Sequence, residues 1–292
     1  MKAALPALAE IDVVLSGSAC IVADLDNDGF VDVLRPRAAD GCLWKGSAKG
    51  FNAPATASVF CKGGGRVAVG DFNEDGFLDV FTCGADAAEL WENDGHAAFR
   101  PVSAAAGSLS YKMTAGVSEC RAVDLNHDGR PDLCLLYADK EFACHFNRGF
   151  RCFGEEGELR LPGGEAERNA PGQRAAAIAD FNGDGSLDLA VAFSSGRVAC
   201  FYNGLFNKPT LRVALKRGQP GPVTVSAWQG DKPPVCVGTL PVAAWPARTR
   251  FTVHDDRDVT LQWRLPGKPP SSRIVKIPSE GREGGVAVII GE

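Results

Sequence analysis

IVADLDNDGFVDVL, residues 21–34, is the stretch that decides the fold of this 292-residue chain. Three later stretches align with it without gaps: VAVGDFNEDGFLDVF at 67–81, RAVDLNHDGRPDLCL at 121–135 and AIADFNGDGSLDLAV at 177–191. Each contains a loop of the form D-x-[DN]-x-D-G-x-x-D between a run of small and β-branched residues and an apolar run. That pattern is typical of a strand, a loop and a second strand. Its recurrence about every 50 residues indicates a repeat protein.

A second similarity follows each loop at a short distance. It reads LWKGSAKGF at 43–51, LWENDGHAAF at 90–99, HFNRGF at 145–150 and FYNGLF at 201–206. An aromatic residue, a polar turn with glycine and a phenylalanine together indicate a hairpin. One repeat is then about four short strands, the size of a propeller blade. We predict an all-β fold with a β-propeller of about four blades, or part of a larger propeller, and very little helix.

The chain changes character near residue 209, where the loop motif ends. Alternating stretches such as TRFTVHD at 249–255 and DVTLQWRL at 258–265 are separated by turns rich in proline and glycine. This alternation predicts half-buried antiparallel strands. We therefore predict two domains: a repeat propeller over 1–208 and a small, β-rich, sandwich-like module over 209–292.

The spacing of acids in each loop predicts a calcium site. Calcium takes about six to eight hard oxygen ligands, which carboxylates, amides, carbonyls and water supply. Glycine at position 6 permits the turn that folds the loop around the ion. The predicted ligands are Asp24, Asp26, Asp28, the Phe30 carbonyl and Asp32; Asp71, Asn73, Asp75, the Phe77 carbonyl and Asp79; Asp124, Asn126, Asp128, the Arg130 carbonyl and Asp132; and Asp180, Asn182, Asp184, the Ser186 carbonyl and Asp188. The missing glutamate at position 12 excludes an EF-hand.

Two positions of the loop vary between copies. Position 3 is an aspartate in loop one and an asparagine in the other three, so we expect loop one to bind calcium most tightly. Position 4 is Asn27, Glu74, His127 and Gly183. Such variability predicts a side chain that points to solvent.

The four segments resemble FG-GAP/VCBS repeats, the calcium-loop repeats of integrin α-chain propellers and of many secreted bacterial proteins. The phrase ADFNGDGSLDLAVA at 179–192 is close to the family's usual wording. The resemblance covers about residues 15–205 and implies a propeller with calcium at the outer edge of its blades and a role in adhesion or recognition. The tail is similar, less closely, to the ASPIC/UnbV module, through LRVALKRG at 211–218 and DVTLQWRLPGK at 258–268. Family propellers usually have more than four blades, so a small closed ring and a fragment of a larger ring are both open.

Composition narrows the class of partner. The net charge is −5, and thirteen of the 36 Asp and Glu residues occupy predicted ligand positions. Four bound calcium ions would bring the charge to about +3, so the acidity does not indicate a basic partner. The basic residues of the tail are dispersed, and we expect no nucleic-acid partner. No apolar run is long enough to span a bilayer. We expect a protein or glycan ligand.

No catalytic motif is recognisable: G-x-S-x-G, H-E-x-x-H, the P-loop and G-x-G-x-x-G do not occur. His96 and His127 lie in turns and are expected at the surface. We predict a calcium-binding repeat protein that is not an enzyme and acts as an extracellular or cell-surface binding or adhesion module. The alternative is a propeller-fold polysaccharide hydrolase or lyase with calcium-stabilised blades. A purely structural scaffold is a third reading.

Ten cysteines without a C-x-x-C pair do not indicate zinc. Two interpretations stay open: disulfides of an oxidising compartment, or small hydrophobes in buried strands. The second would apply to Cys20, Cys61, Cys83, Cys120, Cys134 and Cys200. Cys144 and Cys152 flank a hairpin-like turn and could form a cross-strand disulfide. We predict an extracellular, cell-surface or periplasmic location. The first 15 residues do not resemble a signal peptide. Either the protein stays inside the cell or an upstream segment is missing from this start, and we favour the second.

Overall fold

The computed structural model describes residues 20–36, 41–57, 59, 65–84, 88–103, 107, 117–138, 142–149, 153–155, 172–179, 181–182, 186–203, 210–219, 223–230, 235–242, 249–253, 257–277 and 286–291. These residues form strands β1 to β22 in six sheets, and no helix is found among them. The prediction of an all-β chain is confirmed. No helix that could cross a membrane occurs in this part of the chain.

Each repeat forms one antiparallel sheet whose strands pair in chain order. The first sheet contains β1 (Ile21–Ala23), β2 (Asp32–Arg35), β3 (Cys42–Trp44) and β4 (Ala55–Thr56). The second contains β5 (Arg66–Gly70), β6 (Asp79–Cys83), β7 (Ala88–Asn93) and β8 (Phe99–Pro101). The third contains β9 (Val117–Val123), β10 (Asp132–Tyr137), β11 (Ala143–Asn147) and β12 (Phe153–Glu155). The fourth contains β13 (Gln173–Ala179), β14 (Asp188–Phe193) and β15 (Val198–Phe201).

The aspartate-rich loop closes the first hairpin of every repeat sheet. The last residue before the loop pairs with the ninth loop residue: Ala23 with Asp32, Gly70 with Asp79, Val123 with Asp132 and Ala179 with Asp188. The final aspartate is therefore also the first residue of the second strand. This common register places all four loops at the same end of their sheets.

The repeat sheets stand side by side, with β1 next to β5, β5 next to β9 and β9 next to β13. Apolar side chains fill the space between successive sheets. Leu25, Phe72 and Leu125, at position 2 of loops one to three, are at most 1% exposed, whereas Phe181 at the same position of loop four is 46% exposed. Among the described strands no fifth sheet covers Phe181, and the sheets do not close into a ring. A closed four-bladed propeller is thus not what the described residues form.

The remaining strands form two sheets around one core. One sheet has the order β18 (Val235–Val242), β17 (Val223–Gln229), β20 (Val259–Trp263) and β21 (Ser271–Val275), all antiparallel. The other has the order β19 (Thr249–Thr252), β16 (Thr210–Leu215) and β22 (Val286–Ile290), with β16 and β22 parallel. Both sheets contribute to one apolar cluster. The boundary at residue 209 stays a prediction.

The cysteines lie in several environments. Cys83, Cys120 and Cys134 are fully buried, as the small-hydrophobe interpretation expects. Cys200 is exposed, so that interpretation is wrong for it; along β15 exposed and buried residues alternate, and Cys200 falls on the exposed side. Cys144 is buried in β11 opposite Cys134. Cys61 and Cys152 lie outside the described residues, so the Cys144–Cys152 disulfide stays a prediction.

Candidate metal centre

In loops one to three, the first aspartate holds the loop closed with its two carboxylate oxygens. Oδ1 accepts the N–H of position 5: Asp28 to Asp24 at 3.1 Å, Asp75 to Asp71 at 3.0 Å and Asp128 to Asp124 at 3.0 Å. Oδ2 accepts the N–H of the glycine at position 6: Gly29, Gly76 and Gly129 at 2.9, 2.9 and 3.0 Å. These glycines have φ angles of 92°, 91° and 91°, which a side chain would strain. Loops one to three therefore share one backbone conformation.

The aspartate at position 5 continues the same turn by accepting the N–H of position 7. The bonds are Phe30 to Asp28 at 2.8 Å, Phe77 to Asp75 at 2.9 Å and Arg130 to Asp128 at 2.9 Å. These bonds use one oxygen of each carboxylate for the backbone. The loop thus brings positions 1 and 5 to the same turn, as the calcium prediction requires.

The aspartate at position 9 is buried and belongs to the sheet as much as to the loop. Its Oδ2 accepts the N–H of position 2: Leu25 to Asp32 at 2.9 Å, Phe72 to Asp79 at 3.0 Å, Leu125 to Asp132 at 3.0 Å and Phe181 to Asp188 at 2.9 Å. Its Oδ1 accepts a second N–H from Gly46, Asn93, Asn147 or Asn203 at 2.8, 2.9, 2.8 and 2.8 Å. A carboxylate has about four lone-pair positions, so two bonds leave room for a cation. Its role as a metal ligand stays a prediction.

Loop one gathers three carboxylates at one point. One oxygen each of Asp24, Asp26 and Asp28 lies within 4.8 Å of the others. Oδ1 of Asp26 is buried and has no hydrogen-bond partner. Lys45 Nζ lies 3.0 Å from Asp26 Oδ2 and provides one positive charge against three negative ones. Hard oxygens at this spacing, with one of them unpartnered and their charge only partly compensated, fit a calcium ion.

The surroundings raise the pKa values of these carboxyls. Burial, together with the charges of the other three loop aspartates, raises the pKa of Asp24 to about 7 against the opposing hydrogen bond from Gly29. Burial likewise raises the pKa of Asp32 to about 6, and that of Asp28 above its usual value. Carboxyls in such a group resist ionisation until a cation offsets their mutual repulsion. The same cause raises the pKa of Asp124 to about 6 and those of Asp79 and Asp132 well above their usual range.

Loops two and three relieve part of this repulsion with an amide. Asn73 Nδ2 donates to Asp75 Oδ2 at 2.8 Å, and Asn126 Nδ2 donates to Asp128 Oδ2 at 3.1 Å. An aspartate at this position, as in loop one, has no such donor. The amide therefore replaces one negative charge by a hydrogen bond to another ligand position.

Loop three also carries its own cation, which we did not expect from the sequence. The sequence predicts only the carbonyl of Arg130 as a ligand. Its guanidinium Nη2 hydrogen-bonds Asp128 Oδ2, and Nη1 lies 3.8 Å from Oε1 of Glu74 in loop two. Nε donates to the Asn147 carbonyl at 2.7 Å. The side chain therefore bridges loops two and three and neutralises a predicted ligand.

Loop four is described only in part. Asn182 is exposed, and Ser186 and Asp188 are buried. Asp180, Gly183 and Asp184 lie outside the described residues, so the assignment of this loop stays a prediction.

Position 4 is constrained through its backbone and not through exposure. Asn27, Glu74 and His127 have φ angles of 55°, 63° and 57°, in the left-handed region. His127 is only 4% exposed, so the prediction of a solvent-facing side chain is wrong there. What these residues share is the left-handed backbone conformation, which asparagine and histidine adopt more readily than most residues. His96 is exposed, as expected.

One set of residues that the sequence analysis missed joins each repeat to the one before it. Asn Nδ2 donates to the position-2 carbonyl of the preceding loop: Asn93 to Leu25 at 2.8 Å, Asn147 to Phe72 at 2.9 Å and Asn203 to Leu125 at 2.7 Å. We call these three residues the asparagine clamps. Their signal in the sequence is the asparagine common to LWEND, HFNRG and FYNG, for which the hairpin pattern predicts only a turn position. The first repeat has Gly46 at the equivalent position, and glycine cannot donate from a side chain.

Comparison with known proteins gave a family match and distant structural similarities. No curated protein matches the chain. Among solved structures, a lectin of Agrocybe aegerita that recognises non-reducing terminal N-acetylglucosamine is 17% identical over 64% of this chain, with a TM-score of 0.45. The chain covers 52% of that lectin's length. AofleA from Arthrobotrys oligospora is 14% identical over 92% of this chain and 84% of its own, with a TM-score of 0.37. Residues 42–135, which include loops two and three, match the family model of the FG-GAP-like repeat, and this match supports an FG-GAP-like repeat protein.

Proposed function

We propose that the chain is a calcium-binding repeat protein that acts as a binding module, with calcium in a structural role at the repeat loops. The proposal is carried by the three clustered carboxylates of Asp24, Asp26 and Asp28, because a buried oxygen of Asp26 has no hydrogen-bond partner there. The shared backbone of loops one to three and the FG-GAP-like repeat match support it. The ion would supply the positive charge that lets buried carboxyls ionise.

The proposal includes a location outside the cytoplasm and a protein or glycan ligand. Loops of this kind in extracellular proteins bind calcium with dissociation constants on the order of 0.1–1 mM. At ~2 mM free calcium, a site with a dissociation constant of ~0.1 mM contributes about 1.8 kcal/mol of stability. Four such sites would contribute on the order of 7 kcal/mol, comparable with the stability of a whole domain. An ASPIC/UnbV-like tail belongs to the same proposal.

The experiment that tests it is calorimetric titration of the metal-free chain with calcium, combined with thermal unfolding in calcium and in excess EGTA. We expect saturable binding and a melting temperature more than ten degrees lower in EGTA. Identical melting curves in the two buffers would contradict the calcium assignment.

Asp26→Asn tests loop one specifically. It keeps an oxygen ligand and removes one charge, so we expect the tightest site to weaken by about tenfold while the weaker sites persist. Asp258→Asn is the matched control, because Asp258 is exposed and outside the loops. Equal titrations of both variants and the wild type would show that loop one is not the tightest site.

A further inference from the structure

The C-terminal sheets lie directly on the repeat loops. Thr224 Oγ1 donates to the carbonyl of Asp24 at 3.1 Å, and Ser226 Oγ donates to the carbonyl of Gly76 at 3.3 Å. Arg264, just after β20, donates from Nη1 to the carbonyl of Asn27 at 3.2 Å. All three acceptors are backbone carbonyls within loops one and two. All three donors are side chains of the β17–β20 sheet region.

The sequence of β17 explains how one strand contacts the C-terminal core with one face and the repeat loops with the other. Alternate side chains of a strand point to opposite faces. Val223, Val225 and Ala227 enter the core that the two C-terminal sheets share. Thr224, Ser226 and Trp228 therefore face the other way, toward the loops. Both faces of this strand are therefore covered at least in part, although its polar-apolar alternation predicts one face in solvent.

The position-6 glycines provide the flat surface for this contact. A Cβ on Gly29 would lie 2.8 Å from Arg264 Cγ and 2.8 Å from the Leu265 carbonyl oxygen. A Cβ on Gly76 would lie 2.8 Å from Cζ2 of Trp228. Contacts this short do not occur between real side chains, so the C-terminal sheets could not approach if these residues were larger. Glycine serves the loop conformation and the docking at once.

Loop three takes part through a ligand side chain. The Thr252 side chain at the end of β19 hydrogen-bonds the Asp124 carboxylate. The C-terminal sheets therefore contact three loops, and they do so through the backbone and carboxylates that we assign to calcium.

We propose that calcium occupancy of the repeat loops and docking of the C-terminal sheets are linked, so that each strengthens the other. This inference rests on the proposed function. Without the ion, the carboxylates of a loop repel one another, and the carbonyls of Asp24, Asn27 and Gly76 lie in the turns that this repulsion distorts. The docked sheets hold those carbonyls in the geometry that the loaded loop needs. Coupling of this kind is reciprocal by thermodynamic necessity.

Two measurements test the two directions of the linkage. The first is hydroxyl-radical footprinting of the wild-type chain with mass spectrometry, in calcium and in chelator, below the melting temperature of the chelated chain. Trp228 and Trp263 line the contact between the C-terminal sheets and the loops. Their oxidation is expected to rise at least threefold on chelation. Trp91, buried in the repeat core, is the internal control and should stay protected.

The second measurement is calcium titration of the double variant Thr224→Val, Ser226→Ala. It removes two neutral donors from the interface and leaves every predicted ligand intact. Arg264 is also left unchanged, because its positive charge would act on the ion directly. We expect the sites of loops one and two to weaken three- to tenfold. Ser272→Ala, on an exposed residue of β21, is the matched control and should titrate like the wild type.

Because linkage is reciprocal, the failure of either measurement overturns the inference. Calcium binding with unchanged oxidation of Trp228 would overturn the linkage and leave the proposed function standing. Absence of calcium binding by the wild-type chain would overturn both. The footprinting uses unmodified protein, so it decides the question alone if the double variant does not fold.

Discussion

Single residues distinguish the loops by how each one compensates the carboxylate at position 5. In loop one, Asp26 adds a further charge next to Asp28, and the close bases are Lys45 and Arg264. In loop two an asparagine amide donates to that carboxylate. In loop three an amide and the guanidinium of Arg130 both bond to it. The need for an added cation therefore falls from loop one to loop three.

Arg130 is expected to weaken calcium binding by loop three, because it occupies an oxygen that the ion would use. Arg130→Phe restores the residue found at this position in loops one and two. We expect the calcium affinity of loop three to rise several-fold in a calorimetric titration. Arg100→Ala removes another arginine from an exposed ion pair with Glu92 and serves as the control. A weaker loop-three site in Arg130→Phe would show that the arginine supports the ion instead.

The raised carboxyl pKa values predict opposite effects of acid on the calcium-free and calcium-loaded chain. The Asp24 pKa rises from 3.8 to about 7 and that of Asp32 to about 6. A carboxyl with a raised pKa binds its proton more tightly in the folded chain than in the unfolded one. The free energy of unfolding without calcium should therefore rise, by on the order of 2 kcal/mol, as the pH falls from 8 to 5.5.

Urea unfolding of metal-free protein at the two pH values measures this effect. With calcium present, protons compete with the ion, and the free energy of unfolding should fall over the same range. The charged neighbours of Asp24 are Asp26, Asp28 and Asp32, together with Lys45 and Arg264. A calcium-free chain that loses stability between pH 8 and 5.5 would contradict the prediction.

At the scale of elements, the asparagine clamps connect neighbouring repeat sheets, whose described strands do not pair with one another. Asn147 is the last residue of β11. Its backbone N–H donates to the Asp132 carboxylate in its own repeat, and its side-chain amide donates to the Phe72 carbonyl of the previous loop. Its Oδ1 also accepts the N–H of Gly149. A buried asparagine with all these partners positions one loop against the next. The repeats are therefore stacked by specific polar contacts as well as by apolar packing.

Asn147→Ala should destabilise the chain by about 2–4 kcal/mol, because it leaves a buried carbonyl and a buried N–H without partners. Urea unfolding in saturating calcium measures the change. Asn52→Ala, at an exposed position, is the control and is expected to alter stability by less than about 0.5 kcal/mol. Equal effects of the two substitutions would show that the clamp carries no stability.

At the scale of the whole molecule, the repeat sheets form an open row. Each of the first three sheets has its position-2 side chain covered by the next sheet, and the fourth does not. The first repeat has Gly46 at the clamp position, so it has no asparagine side chain that could bond to a preceding sheet. Both ends of the row therefore lack the contact that joins the sheets within it. Meanwhile the C-terminal sheets cover the loop end of the row.

Because the row of sheets is open, replacing the position-2 phenylalanine with alanine should destabilise the chain more in loop two than in loop four. Phe72 is fully buried and meets Phe153 edge to face at 5.8 Å, so Phe72→Ala should cost about 3–5 kcal/mol. Phe181→Ala should cost less than about 1 kcal/mol, because this side chain is half exposed. Chemical denaturation of both variants measures the difference. Similar large costs would show that another surface covers Phe181 in solution.

The sequence by itself determined the repeat unit and the loop. The register of D-x-[DN]-x-D-G-x-x-D, its glycine and its flanking apolar runs act over a dozen residues, and local interactions of that range can be read from the chain. The all-β class, the strand–loop–strand hairpins and the convergence of Asp24, Asp26 and Asp28 all follow from them.

Only the tertiary structure decided which surfaces meet. The buried state of His127, the guanidinium of Arg130 on Asp128, the asparagine clamps and the open end at Phe181 depend on neighbouring repeats. The bond from Thr224 to the Asp24 carbonyl joins residues 200 positions apart. Periodicity shows that a side chain is buried but not against which partner, because that choice is made by packing between elements distant in the chain.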